Sequence, residues 1–162
     1  MSRPEPTLPA TDEARTLART LMLGARHAAL AVTDAETGTP GISRIAWGIA
    51  PDGGPVTLVS SLAAHAASLA AHPVCAVMLG EVGDKGDPLT HPRLVLRATA
   101  IFVAPDDPAR PALRDRWLAD HPKAALYVDF ADFAFVRLTP MSALLNAGFA
   151  RAFRLSATDL AL

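Results

Sequence analysis

Two apolar runs, residues 42–50 and 56–60, are separated only by Pro51-Asp52-Gly53-Gly54-Pro55. Proline presets the backbone angle of a turn, aspartate folds its carboxylate back onto nearby amides, and glycine accepts left-handed angles. Runs this short, joined this tightly, pair as an antiparallel hairpin. The same pattern recurs along the chain. Residues 27–33, 74–82, 93–103 and 133–138 read as strands, with a last one near 141–145, and Gly- and Pro-containing segments at 34–41 and 83–92 punctuate them. Helical spacing appears in three places. Thr11 caps the first helix, with Asp12 and Glu13 at its positive end; Ala14, Leu17, Ala18, Leu21 and Met22 share a face, and Gly24 stops it. The second runs over 62–71 and ends at His72-Pro73. The third, 105–120, carries Leu113, Trp117 and Leu118. Regular βαβ alternation is missing, which favours an antiparallel barrel or sheet with helices at its ends.

The 162 residues fit one domain, and the 51% apolar content is enough for a core. Fifteen basic residues against sixteen acidic ones leave no basic stripe, so nucleic acid is not an expected partner. No apolar stretch reaches the roughly 20 residues that span a bilayer, so no membrane partner is expected. The start of the chain lacks the apolar region of a signal peptide. Cys75 is the one cysteine and lies in an apolar run, so it reads as a small buried hydrophobe in a reducing compartment. The expectation is a cytoplasmic protein with a disordered arm over residues 1–10 and one domain over 11–162.

The candidate site starts where a strand runs into a helix, at residues 56–69. A helix N-terminus has unpaired N–H groups and partial positive charge, so it attracts anions. Ser60 and Ser61 add hydroxyls there, His65 follows one turn later, and Ser68 falls on the same stripe. Serine is also a common plain cap, and a histidine on a short helix is often simply exposed. On the strand over 42–50, Ser43, Ile45, Trp47 and Ile49 share a core face, while Arg44, Ala46 and Gly48 share the other. One cation followed by two small residues suits a guanidinium gripping one end of a flat ligand, with room beyond it. A solvent-facing arginine on an edge strand is the alternative.

Several segments together resemble the pyridoxamine 5′-phosphate oxidase-like flavoproteins, above all their haem-utilisation branch. They are Leu58-Val59-Ser60-Ser61-Leu62-Ala63-Ala64-His65, His72-Pro73 with Cys75, Pro92-Arg93-Leu94-Val95-Leu96, His121-Pro122-Lys123-Ala124, the run from Asp129 to Pro140, and Ala147-Gly148-Phe149-Ala150-Arg151-Ala152. The resemblance implies a mainly β (α+β) fold: a six-stranded antiparallel split β-barrel, the FMN-binding split barrel, with flanking helices. It also implies a homodimer with FMN between the subunits. Arg44 and His65 would grip the FMN phosphate, with Ser60 and Ser61 as the hydroxyl pair, Ala46 beside the cofactor, and Arg93 near the flavin. Two departures bear on the activity. Relatives that oxidise pyridoxamine phosphate carry Arg-x-His where this chain has Arg151-Ala152-Phe153. Haem-degrading relatives draw a ligating histidine from beyond the last matched motif, whereas the last histidine here is His121.

No other catalytic motif emerges. His27, His65, His72, His91 and His121 show no metal-ligand spacing, so no metal site is expected. Asp129 and Asp132 read as flanking a turn before a strand. Three function classes remain: an FMN-dependent oxidoreductase acting on a small acceptor, a non-enzymatic flavin or haem binding or storage protein, and a dimeric interaction module that has lost its cofactor.

Overall fold

The computed structural model describes residues 7–162. Helix α1 (Asp12–Gly24) is capped as its sequence predicts: Thr11 Oγ1 accepts the Ala14 N–H at 3.2 Å. Its buried stripe is Ala14, Ala18 and Met22, with Leu17 and Leu21 half-buried beside it. The strands follow as β2 (His27–Thr33), β3 (Pro40–Ala46), β4 (Gly48–Ile49), β5 (Pro55–Ser60), β6 (Val74–Leu79), β7 (Arg93–Phe102), β8 (Phe133–Asn146) and β9 (Ala152–Ser156). Helix α2 (Ala64–Ala71) lies between β5 and β6, and α3 (Arg110–Asp120) lies between β7 and β8.

Hydrogen bonding runs β9-β8-β7-β6-β2-β3, each neighbour antiparallel. Strand β5 leaves this path and pairs with β8 on one side and the short β4 on the other. This is the split-barrel architecture. The strand expected over 42–50 breaks at Trp47. That residue is fully buried, and its indole Nε1 donates to Met22 O at 2.9 Å, locking the bend to the end of α1. The segments expected as two strands, 133–138 and 141–145, form one. Pro140 would ordinarily end a strand, but the register with β7 shifts there, from Arg97↔Ser142 to Ala98↔Pro140. Met141 is the extra residue of a bulge that absorbs the proline.

Residues 1–6 of the expected disordered arm lie outside the described residues. Of the rest, Leu8 and Pro9 form β1 (Leu8–Pro9), parallel to β9, whose edge is otherwise open. Strand β9 itself carries no strong turn signal before it, and the sequence reading passed over it.

Alternation sorts the strand residues. Ala28, Leu30, Val77, Leu79, Leu94, Leu96 and Leu145 point inward with the buried stripe of α1. Cys75 joins them, and burial pushes its thiol pKa up to about 11, so it packs as a hydrophobe. A second core lies under α3, where Val56, Leu58 and Phe135 meet Leu113 and Trp117. No described helix is long and apolar enough to cross a membrane.

Candidate functional site

The outward rows of the sheet carry the first half of the site. The register sets Arg44 beside Ala29, then Met78, then Val95, then Leu144. Arg44 is exposed and has no hydrogen bond or ion pair among the described residues. It lines a cleft of about 300 Å³ with Ala29, Met78, Gly80 and the His27–Glu81 pair, whose Nε2–Oε1 distance is 3.0 Å. Gly80 is required in the floor. Its φ is +122°, and a Cβ there would lie 2.4 Å from Pro92 O and 2.9 Å from the Arg93 Cα. The side chain of Arg93 donates from Nη1 to Leu89 O at 2.9 Å and braces the loop.

The small residues beyond Arg44 do not leave open room. A Cβ on Gly48 would lie 2.9 Å from Trp117 Cζ3, so the ring of α3 fills that space. Ala46 packs against the same core, and its carbonyl accepts Thr57 Oγ1 at 2.6 Å. The expectation of free space for a flat ligand at Gly48 is therefore corrected: the glycine admits tryptophan, not cofactor. His121 completes this packing, stacked on Trp117 at 4.2 Å with Nε2 2.9 Å from Trp47 O.

The second half lies across the split. Strands β4 and β5 pair at Gly48↔Val56 and Ile49↔Pro55. This ladder does not continue past the break at Trp47: Arg44 on β3 and Ser60 on β5 lie on strands that do not pair, the two lips of the split. Helix α2 packs against β2, β3 and β7 and buries Ala66, Ser68 and Leu69. Ser60 Oγ donates to Asp132 Oδ2 at 2.6 Å and accepts the Leu62 N–H at 3.2 Å. The Ser61 N–H donates to Asp132 O at 2.7 Å, while Ser61 itself is exposed. The helix begins at Ala64, two residues later than its sequence pattern predicts, and its cap residue Ala63 offers no side-chain acceptor. The Ala64 and His65 N–H groups thus lack a side-chain cap, while the Ala66 N–H donates to Ala63 O at 3.0 Å. His65 is half-buried, and burial alone holds its pKa below the usual histidine value. Ser68 does not face the split. It is buried and donates back to Ala64 O at 3.1 Å.

The predicted residues thus fall into two groups: Arg44, with Arg93 bordering the Gly80 floor, and Ser60, Ser61 and His65. Ala46 sits between them under the edge of α3. Sequence reading missed His27, Glu81 and Met78. The signal for His27 was its place in the outward alternation with Ala29 and Ala31. Asp132 flanks the turn before β8, as expected, and in addition faces Ser60. Asp129 forms a two-point ion pair with Arg114 at 2.8 and 2.6 Å, which lowers its carboxyl pKa. His91 holds the loop before β7, with Nδ1 accepting the Gly83 N–H and Nε2 facing Lys85 O, both at 2.8 Å. Among the described residues no three His, Cys, Asp or Glu side chains cluster as a metal site.

The donor set fits an anionic group on a largely apolar ligand. Arg44 supplies the donors above the apolar floor of Ala29, Met78 and Gly80, and the Ser61 hydroxyl with the start of α2 forms a second donor group outside that cleft. Asp132 opposes an anion at Ser60 itself.

No protein-family model matches the chain. The chain is 39% identical over 116 residues, 72% of its length, to the non-canonical heme oxygenase HOZ, chloroplastic, of Arabidopsis thaliana. It spans about a third of that relative, 34% of its length. It superposes on a heme binding protein from Mycobacterium smegmatis at TM-score 0.82 and 26% identity, covering 93% of this chain and 61% of that one. A protein related to general stress protein 26, of the pyridoxinephosphate oxidase family, from Clostridium acetobutylicum shares the fold at TM-score 0.69 and 12% identity, covering 93% and 99%. With the strand order, the split at β5 and these relatives in agreement, the chain belongs to the pyridoxamine 5′-phosphate oxidase-like split-barrel family, in the branch that includes haem-utilisation proteins.

Proposed function

We propose that this protein binds haem, with Arg44 holding an anionic substituent of the macrocycle over the outward face of β2, β3 and β6. The observation that carries the reading is the 39% identity to a heme oxygenase over 116 residues, 72% of this chain. Arg44 adds a physical reason: it is a cation without a partner among the described residues, beside a floor built from Ala29, Met78 and Gly80. A guanidinium recognises a carboxylate in two-point geometry. When bound, the haem iron would supply the redox chemistry, and the chain's own residues would bind and orient the group.

A second reading is FMN binding, with oxidoreductase activity on a small acceptor. The uncapped start of α2, with Ser61 and His65, favours it, because a phosphate suits free helix amides. In both readings the protein works as a homodimer. The support is the exposed apolar character of the outward sheet face, where Ile42, Val74, Met78, Met141 and Leu144 remain accessible in the single chain.

Titration of the purified protein with haem and, separately, with FMN tests the two readings by absorbance. A saturable shift of the Soret band that weakens in Arg44→Ala supports haem. Saturable flavin uptake without a haem response moves the assignment to FMN. Light scattering at micromolar concentration reads the dimer directly.

A further inference from the structure

The outward face of the sheet carries a second arginine, on the central strand β7. Arg97 lies between Ala76 of β6 and Ser142 of β8. It is exposed and has no hydrogen bond or ion pair among the described residues. Both flanking side chains are small and uncharged, so its neighbours in register neither cover nor neutralise the guanidinium. It lines a cavity of about 290 Å³ with Thr7, Val95, Ser142 and Leu144. Through Thr7 and Ser142 this cavity adjoins a groove over Leu8, Pro9 and Met141. We propose that the two together bind a small amphipathic carboxylate, with its head group at Arg97 and its apolar tail along the groove. The cavity alone is at the lower limit of small-molecule pockets, roughly 300 Å³, and the groove extends it.

The head group follows from the polar atoms that the fold has left unmatched. Arg97 offers donors only, in a planar fork that matches the two oxygens of a carboxylate. The Thr7 hydroxyl is buried and has no hydrogen-bond partner, a state that is costly to leave and that a carboxylate oxygen would relieve. Arg154 lines the same cavity and adds positive charge. Among the described residues no carboxylate lines it. Asp159 lines the adjoining groove, but its oxygens are already held. Oδ1 accepts Arg15 Nε at 2.6 Å, and Oδ2 accepts the Ser156 N–H at 2.8 Å and the Ser156 hydroxyl at 2.7 Å. The tail side is apolar and accessible, with Leu8 and Met141 both exposed. The unmatched capacity beside this apolar surface is therefore donor capacity, which an anion satisfies and an ammonium does not.

The site uses neither the Arg44 cleft nor α2, so its test is independent of the haem and flavin readings. The full chain is titrated at low salt with hexanoate, hexanol and hexylammonium, followed by amide shifts of Thr7, Arg97 and Ser142. Hexanoate is expected to shift these amides and to bind about tenfold more tightly than hexanol, the worth of one charge-assisted hydrogen bond. Hexylammonium is expected to bind more weakly than either. Arg97→Gln, an exposed change, should remove the tenfold advantage, whereas Arg97→Lys, which keeps the charge without the fork, should keep part of it. Thr7→Val should weaken hexanoate about threefold and leave hexanol unchanged. A second copy of the chain seated on the groove would exclude all three probes. Hexylammonium binding as tightly as hexanoate, an advantage that survives Arg97→Gln, or no shift at these amides with any probe overturns the proposal.

Discussion

The two lips of the split carry polar groups of the same apparent purpose in opposite states. On the β3 lip, Arg44 has no partner among the described residues. On the β5 lip, the Ser60 hydroxyl already donates its hydrogen bond to Asp132 at 2.6 Å, and a carboxylate stands where an anion was expected. A polar side chain can serve a ligand to the extent that the fold has left it unsatisfied, since each hydrogen bond already made must be broken first. In the proposed binding the Arg44 lip would therefore be the stronger half, and the β5 lip would contribute through Ser61 and the start of α2, not through Ser60.

The largest effect should come from Arg44→Ala. Haem or FMN affinity is expected to fall by about 1.5–3 kcal/mol, the worth of a hydrogen bond to a charged group, while thermal stability stays within about 0.5 kcal/mol. Equal affinity by spectroscopic titration would erase the contrast between the lips. Gly48→Ala comes next and acts on stability. The added methyl meets Trp117, and overpacking should cost about 1–3 kcal/mol in a denaturation experiment. A loss of ligand affinity at unchanged stability would instead return the space at Gly48 to the ligand.

Asp132→Asn should have a smaller and opposite effect on binding. Removing the carboxylate beside Ser60 is expected to raise anion affinity several-fold, by less than about 1.4 kcal/mol. The smallest effect concerns His65, whose folded pKa is held below its unfolded value of 6.5 by burial. The unfolded chain then binds the proton more readily, so this residue's contribution to stability is present above pH 6.5 and is lost as pH falls through the lowered folded value. His65→Gln should flatten that part of the stability profile. An anion touching His65 raises its pKa in the complex, so affinity should weaken as pH rises through that value. Affinity that is flat with pH removes His65 from the contact set.

Legibility differed from residue to residue for physical reasons. Thr11, Gly24 and the alternation of β2 were readable because capping and period are local. Arg44 was readable as outward-facing for the same reason. The role of Gly48 was not, because the ring that fills it comes from α3, about 70 residues later in sequence. The hydrogen bond from Ser60 to Asp132 spans 72 residues and depends on β5 pairing with β8. Pro140 reads as a strand end, because a bulge exists only against a partner strand.

The sequence by itself determined the helix starts, most of the strands and the face on which Arg44 stands, since those depend on spacing and turn chemistry over a few residues. Only the tertiary structure decided which polar groups remain available. Asp132 took Ser60, Trp117 took the space at Gly48, and Ser68 turned back into its own helix, while Arg44 found no partner among the described residues. Availability is a property of the neighbours that packing supplies, and those neighbours are distant in the chain.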